Sequence, residues 1–374
     1  MVTQDRHGYY LVGWKKFYNK TQALIYASEN KFNVRWVFND EVYDKINWQT
    51  PIETSLFELY RQRAQQLRDK YDYLVLYFSG GADSTNILRT FIDNDIFLDE
   101  IVMQYPKPVE SQFDEKDKSN KNIYGEIKYQ AIPTLNNLNI HSKTQIRYQD
   151  FAQPLLDLLS KDNWFDIMPM GTNISPAGIG RQIAQVKEDH ILRLCDSGKK
   201  VAQILGVDKP LVLHTGDDYF AYFSDVSAMH SPPVDATQSE IFNKLYCTEF
   251  FYWTPDLPEI VVKQAQLIKQ FCLNNPQATN MIMQSMKKHI QHYRSLLHSI
   301  IYYNDIQITW DPEKPDSKVV RPMDNWFWET ATPEVNANYM DVIKYLESHT
   351  DSKYMIENNI YNGISAHNSK FYKL

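Results

Sequence analysis

The chain has few cysteines, and they lie far apart. Cys195, Cys247 and Cys272 are its only three, and no two of them form a Cys-x-x-Cys pair. This spacing excludes the common zinc-binding patterns and a disulfide framework, and it is typical of a reducing compartment. A run of 18 apolar residues is also missing, and the first residues lack a signal-peptide pattern. We therefore expect a cytoplasmic protein with no membrane partner.

An excess of basic residues is missing as well. The chain has 39 Lys and Arg against 46 Asp and Glu, which gives a net charge of −7. This balance argues against a surface built mainly for nucleic acid, with a local basic groove for RNA as the alternative. The length of 374 residues is enough for two domains, or for one large domain with additions.

One short segment is more informative than the rest of the chain, namely the hexapeptide Ser79–Ser84, which reads Ser-Gly-Gly-Ala-Asp-Ser. It follows the apolar run Tyr73–Phe78, which predicts a buried parallel strand, and it precedes apolar residues at helical spacing. Two adjacent glycines let the backbone turn its amides inward, and the helix start adds free N–H groups. Ser79 and Ser84 add hydroxyl donors, and Asp83 can cap the helix or bind a metal. The segment therefore predicts a phosphate cradle.

Two common nucleotide-binding loops are absent here. The hexapeptide has neither the spacing nor the lysine of a Walker loop, and it lacks the Gly-x-Gly-x-x-Gly dinucleotide pattern. It resembles the pyrophosphate loop (PP-loop), Ser-Gly-Gly-x-Asp-Ser, of the ATP pyrophosphatases, a superfamily that includes asparagine synthetase, β-lactam synthetase and several RNA-modifying enzymes. The resemblance implies an α/β fold with a doubly wound, Rossmann-like parallel sheet. It also implies that the β- and γ-phosphates of ATP bind to Ser79, Gly80, Gly81, Ala82, Asp83 and Ser84.

A second motif suggests where Mg²⁺ would bind. Cleavage of ATP at the α-phosphate needs this ion, and acidic ligands of a doubly wound sheet lie at the carboxyl ends of neighbouring strands. The apolar run Leu211–Leu213 leads through a glycine turn into Asp217 and Asp218. This segment resembles the second motif of the asparagine synthetase synthetase domain. We therefore expect Leu211–Leu213 to join the parallel sheet of Tyr73–Phe78, with at least one of Asp217 and Asp218 holding Mg²⁺ together with Asp83. The alternative is that they cap an ordinary helix.

Two basic residues are candidates for binding the substrate. Arg181 lies in the first turn of a predicted helix, where it opposes the helix dipole, and it follows a segment of small and hydroxyl residues that can hold an anion. Lys263 follows Trp253–Pro258, which resembles the segment before the late helices of asparagine synthetases, where a later lysine contacts phosphate. The alternatives are an ordinary N-terminal cap for the first and a surface lysine for the second.

We predict three regions along the chain. Residues 1–50 form a small N-terminal α+β cover, residues 51–255 form the PP-loop ATP-binding α/β domain with an insertion at 106–145, and residues 256–374 are mainly helical. The insertion is expected to be a solvated loop with one or two helical turns, with a lid over the substrate as the alternative. Further elements are expected as strands at Glu100–Gln104 and Thr144–Tyr148, a short helix at Lys199–Leu205, and a helix capped at Thr50–Glu53.

The predicted activity is that of an amide-forming ligase. No cysteine precedes Cys195, so we expect no glutamine hydrolysis of the asparagine synthetase type. What the resemblance then implies is cleavage of ATP to AMP and pyrophosphate, which activates a carboxylate or amide-like oxygen of a small molecule for attack by ammonia or an amine. The alternatives are adenylation of a nucleotide or RNA base, and an ATP-binding module without catalysis. The oligomeric state stays open, with a homodimer among the alternatives.

Overall fold

The computed structural model describes residues 3–116, 122–167, 173–184, 188–230, 245–277, 279–280, 282–283, 291–308 and 318–374. The β-strands of these ranges are β1 (Tyr9–Val12), β2 (Lys15–Phe17), β3 (Val34–Val37), β4 (Tyr73–Tyr77), β5 (Glu100–Tyr105), β6 (Gln145–Asp150), β7 (Val201–Leu205), β8 (Leu211–Thr215), β9 (Asp218–Tyr222), β10 (Tyr246–Phe250) and β11 (Tyr372–Lys373).

Helices surround these strands. The α-helices span Lys20–Asn30, Asp40–Tyr43, Leu56–Lys70, Ala82–Asp93, Tyr124–Glu126, Ile132–Asn136, Ala152–Leu159, Trp164–Ile167, Pro176–Ala184, Asp189–Asp196, Glu259–Asn274, Gln291–Ile301, Asn325–Thr330 and Pro333–His349. A π-helix spans Ile127–Ala131, and 3₁₀ turns span Thr3–His7, Lys107–Glu110, Asp225–His230, Pro322–Asp324, Ser352–Tyr354, Ile356–Asn358 and Ile360–Asn362. No helix in the described ranges combines the length and the apolar character needed to cross a membrane.

The central element is a five-stranded parallel sheet with the order β10-β7-β4-β5-β6. The first of these strands in the chain, β4, lies in the middle. The next two are added on one side of it and the last two on the other side. The strand order therefore reverses at β4, and the carboxyl ends of β4 and β7 lie next to each other. The protein is an α/β protein, and the strands predicted at Tyr73–Phe78, Glu100–Gln104 and Thr144–Tyr148 are confirmed.

The short helix predicted at Lys199–Leu205 is wrong, because this segment contains β7. All residues of β7 are buried, and the strand pairs in parallel with β4 on one side and β10 on the other. A strand covered on both faces shows no alternation of polar and apolar residues. A short apolar run of this kind cannot be told from a buried helical turn by its periodicity.

The placement predicted for Leu211–Leu213 is also wrong. These residues belong to β8, which pairs antiparallel with β9, and β9 pairs with β11 in a separate three-stranded sheet. Gly216 and Asp217 form the two-residue turn between β8 and β9, and Gly216 has a φ of +58°. Glycine at the first central position of such a turn is typical of a hairpin. The pattern of strand, glycine and acid thus fits a hairpin as well as a strand–helix junction.

The N-terminal part of the chain forms a small layer of strands and a helix. Strands β2, β1 and β3 form an antiparallel sheet that contacts the helix Lys20–Asn30. Lys20 and Asp225 form a fully buried ion pair, and the Tyr10 hydroxyl donates to Asp225, so the N-terminal layer is tied to the rest of the fold. The helix Pro333–His349 lies near the other end of the chain.

The helix before β4 begins later than expected. It was predicted to be capped at Thr50–Glu53, but it spans Leu56–Lys70, and the Ser55 hydroxyl accepts a hydrogen bond of 3.2 Å from the Glu58 N–H. Ser55 and Glu58 match the Ser-x-x-Glu capping pattern. We expect Ser55→Ala to lower the free energy of unfolding by about 1 kcal/mol, measured by urea denaturation. An unchanged stability would mean that this cap contributes little to the fold.

Candidate functional site

The hexapeptide Ser79–Ser84, called the glycine loop below, leaves the carboxyl end of β4 and enters the helix Ala82–Asp93. Its own hydroxyl groups fix its shape. Ser79 Oγ accepts a hydrogen bond of 3.2 Å from the Gly81 N–H, and Ser84 Oγ donates one of 3.2 Å to the Gly81 carbonyl. The Thr85 hydroxyl donates to the Gly80 carbonyl at 3.1 Å. The loop is therefore ordered by local contacts that follow from its sequence.

Several backbone amides of the glycine loop have no hydrogen-bond acceptor in the described ranges. Within the described ranges, the N–H groups of Gly80 and of Ala82–Ser84 donate to no protein acceptor. The last three belong to the first turn of the helix, where the macrodipole adds a partial positive charge. Free amides that converge at a helix N-terminus form an anion-binding site. The loop can therefore bind a phosphate group.

Gly80 brings the loop into backbone contact with the insertion. Its φ is +77°, and a Cβ atom at this position would lie 2.6 Å from Ala131 Cα and 2.7 Å from Ala131 N. Ala131 ends the π-helix Ile127–Ala131, a type of helix that is frequent at functional sites. The insertion was expected to be mainly a solvated loop. Instead, its helical part packs directly against the glycine loop.

Asp83 is the acidic residue of the loop, and it has cationic and hydroxyl partners. Lys209 Nζ lies 2.8 and 3.1 Å from its two carboxylate oxygens, and the Tyr302 hydroxyl donates to it at 2.5 Å. Burial alone would raise the pKa of Asp83, but the positive charges of Lys209 and His298 outweigh this effect and hold the pKa well below its usual range. The carboxylate is therefore ionised at neutral pH.

Lys209 comes from the segment Gly206–Pro210, called the β7 loop below, which follows β7. A Cβ atom on Gly206 would lie 3.2 Å from Asp83 Cβ, so the two loops approach closely. Lys209 Nζ also lies 3.0 Å from Asp208 Oδ1. Burial lowers the pKa of Lys209, but the carboxylates of Asp208 and Asp83 more than compensate and raise it above its ordinary value. Lys209 therefore carries its charge between two acids.

Two tyrosines from distant segments support Asp83. The Tyr252 hydroxyl donates to the Asp83 carbonyl at 2.9 Å and accepts from Asn86 Nδ2 at 2.9 Å. Tyr302 follows the helix Gln291–Ile301, and its ring centroid lies 5.3 Å from that of Tyr252. Burial and the charge of Asp83 raise the pKa of Tyr302 well above its ordinary value, so it remains a hydrogen-bond donor. The C-terminal part of the chain thus contributes to the site.

Sequence reasoning missed these partners of Asp83. A signal existed for Lys209, because β7 is followed by a glycine and by polar residues, as β4 is. It was overlooked because β7 was interpreted as a helix. No comparable signal marked Tyr252 or Tyr302 among the 25 tyrosines of the chain.

The structure does not bring Asp217 and Asp218 together with Asp83 as a metal site. Asp217 is exposed in the turn between β8 and β9, and Asp218 pairs with Lys373 of β11 at 2.8 Å. In the ranges that the structure describes, no group of three or more His, Cys, Asp or Glu side chains is arranged to hold a metal ion. The reason is topological, since β8 and β4 belong to different sheets.

The two basic candidates have different surroundings. Lys263 Nζ donates to the backbone carbonyl of Ile52, so its ammonium is engaged in a contact within the fold. Arg181 lies in the last turn of the helix Pro176–Ala184, not in the first turn as predicted, and burial lowers the pKa of its guanidinium. Its backbone carbonyl accepts a hydrogen bond of 3.5 Å from Nε2 of Gln104, near the carboxyl end of β5. Arg181 is therefore near the edge of the sheet from which the glycine loop emerges, and it remains a candidate for substrate binding.

Comparison with known proteins adds no family assignment. No protein-family model matches the chain, and no curated protein has detectable similarity to it. The geometry of the glycine loop and the β7 loop is therefore the basis for assigning a function.

Proposed function

We propose that the protein binds ATP in the glycine loop and cleaves it to AMP and pyrophosphate, as an adenylating ligase of the PP-loop type on a doubly wound sheet. The observation that carries this proposal is a set of amides in the Ser-Gly-Gly-Ala-Asp-Ser loop, at the carboxyl end of β4, that donate to no acceptor in the part of the chain that the structure describes. The strand order reverses at β4, and ligands of open α/β sheets bind in the crevice at such a point.

The residues of the loop suggest how the pyrophosphate part of ATP is held. The amides of Gly80 and Ala82–Ser84 would donate to the phosphate oxygens, and the exposed Ser79 hydroxyl adds a further donor. The loop contains no lysine, and Lys209 of the β7 loop, whose ammonium contacts Asp83, brings positive charge to it. Fixed donors aimed at a developing negative charge stabilise a transition state without reorganisation.

The acids around Lys209 fit a phosphate-bound Mg²⁺. In ATP-using enzymes this ion is usually held by one or two carboxylates together with the phosphates, rather than by a cage of protein ligands. Asp83 and Asp208 are two such carboxylates. The ion would offset the charge of the departing pyrophosphate. This assignment replaces Asp217 and Asp218 by Asp208.

The acceptor of the adenylyl group would be a small molecule with a carboxylate or amide-like oxygen, which ammonia or an amine then attacks. Arg181 supports an acidic substrate, because this basic residue lies near the carboxyl end of β5. Guanidinium groups bind carboxylates through paired hydrogen bonds. Lys263 has no part in this proposal, because its ammonium contacts Ile52.

The products of turnover test the proposal. We expect incubation with ATP, Mg²⁺, ammonium and a panel of carboxylic acids to release AMP and pyrophosphate in equal amounts, measured by chromatography of the nucleotides. Each active acid should also promote exchange of labelled pyrophosphate into ATP. ADP as the main product would contradict the proposal. ATP binding without exchange for any acid would favour a module that has lost the chemistry.

A further inference from the structure

Lys209 occupies the space between two carboxylates of the candidate site. Its ammonium lies 2.8 Å from Asp83 Oδ1 and 3.0 Å from Asp208 Oδ1. The side chain of Lys209 is 17% exposed and that of Asp83 is 23% exposed, so both are partly shielded from water. The protein thus places its own cation against the two acids that fit a metal ion.

The two partners of this ion pair differ in their freedom to move. Asp83 is held by the Tyr302 hydroxyl at 2.5 Å, and the close approach of Gly206 limits the space around its Cβ. Lys209 has a flexible four-carbon stem with a rotatable ammonium group. If the pair opens, Lys209 is therefore the partner that moves.

We infer that Lys209 couples the binding of pyrophosphate to the binding of Mg²⁺, by moving from the two carboxylates to the phosphates when a nucleotide enters the glycine loop. This inference rests on the proposed function. The exchange would release Asp83 and Asp208 for the metal ion and would bring a positive charge to the pyrophosphate.

Charge balance supports this exchange. A divalent cation that enters alone meets the ammonium of Lys209, which repels it and already neutralises one of the two acids. Pyrophosphate that enters alone can pair with the ammonium of Lys209. It is then repelled by the carboxylates of Asp83 and Asp208, which no longer have a cation beside them. When both ligands are present, the divalent cation pairs with the two carboxylates and the ammonium of Lys209 pairs with pyrophosphate. Every charge then has a partner of opposite sign. Lys209 is thus a positioning residue that makes the two ligands bind as a unit.

Binding of each ligand on its own provides the test. We would titrate Mn²⁺, observed by electron paramagnetic resonance, into the protein without phosphate, and pyrophosphate, observed by calorimetry, into the protein with EDTA. Compared with the wild type, Lys209→Met should bind Mn²⁺ about tenfold more tightly and pyrophosphate about tenfold more weakly. Shifts in opposite directions are not expected from a residue that only supports the fold.

Two further variants sharpen this test. Lys209→Arg keeps the positive charge and should restore weak Mn²⁺ binding, which also covers the case that Lys209→Met folds poorly. Lys16→Met removes a comparable ion pair, Lys16–Asp5 at 2.9 Å, in the N-terminal layer and should change neither affinity.

The possible failures can be told apart. If the wild type binds neither pyrophosphate nor ATP, the proposed function and this inference are both overturned. If the wild type binds them but Lys209→Met leaves Mn²⁺ affinity unchanged or weakens it, the exchange alone is overturned and the proposed function stands.

Discussion

Replacing Gly80 with alanine is expected to abolish binding of ATP and pyrophosphate and to lower the free energy of unfolding by about 3 kcal/mol or more. The new Cβ would lie 2.6 Å from Ala131 Cα and 2.7 Å from Ala131 N, and these are backbone atoms that cannot rotate away. A φ of +77° also costs a residue with a side chain about 1–2 kcal/mol. Calorimetric titration measures the affinities, and urea denaturation measures the stability.

Gly81→Ala is the matched control for this variant. Gly81 has a φ of −65°, and among the described residues a Cβ atom there would contact the Ser79 hydroxyl, at 3.2 Å, and no other atom within 4 Å. We therefore expect its stability to stay within about 0.5 kcal/mol of the wild type. The affinity for ATP should still fall, because the added methyl group lies beside the free amides. Equal losses of stability in both variants would show that the contact with Ala131 is not what makes Gly80 necessary.

The local part of the site could be predicted from the sequence because all its determinants are near neighbours. The apolar run before Ser79, the two glycines and the helical spacing after Ser84 lie within one short stretch of chain. Hydrogen bonds that close the loop also join residues no more than five positions apart, as between Ser79 and Ser84. Local propensity alone was therefore enough for the strand, the loop and the helix.

The rest of the site depends on pairings that the sequence does not specify. Whether an apolar run pairs with β4 or with a following strand is decided by contacts between distant residues, and β8 was placed in the central sheet for this reason. Tyr302 contacts Asp83 across 219 positions of the chain, with no motif to mark it. Asp217 and Asp218 were placed beside the central sheet from resemblance, but the strands next to them, β8 and β9, pair in a separate sheet.

Asp83→Asn is expected to lower turnover by about 100-fold or more while it preserves the fold. The amide has nearly the same shape as the carboxylate and can still accept a hydrogen bond from Tyr302. It lacks the negative charge, so it cannot form an ion pair with Lys209 and is a weaker ligand for Mg²⁺ than the carboxylate. Steady-state release of pyrophosphate measures turnover, and thermal unfolding checks that the fold is retained.

Asp217→Asn and Asp218→Asn are the controls, and they separate the two interpretations of the acidic residues. The first acid is exposed in a hairpin turn and the second pairs with Lys373, so we expect both variants to keep wild-type turnover. If Asp217 and Asp218 instead held Mg²⁺, as the asparagine synthetase-like motif predicts, both variants would lose most of their turnover. A large loss at Asp217 or Asp218, with little effect at Asp83, would mean that the β8–β9 hairpin forms the catalytic site and that the β7 loop does not. The opposite result would support a site built from the carboxyl ends of β4 and β7, because that is where Asp83 and Lys209 meet.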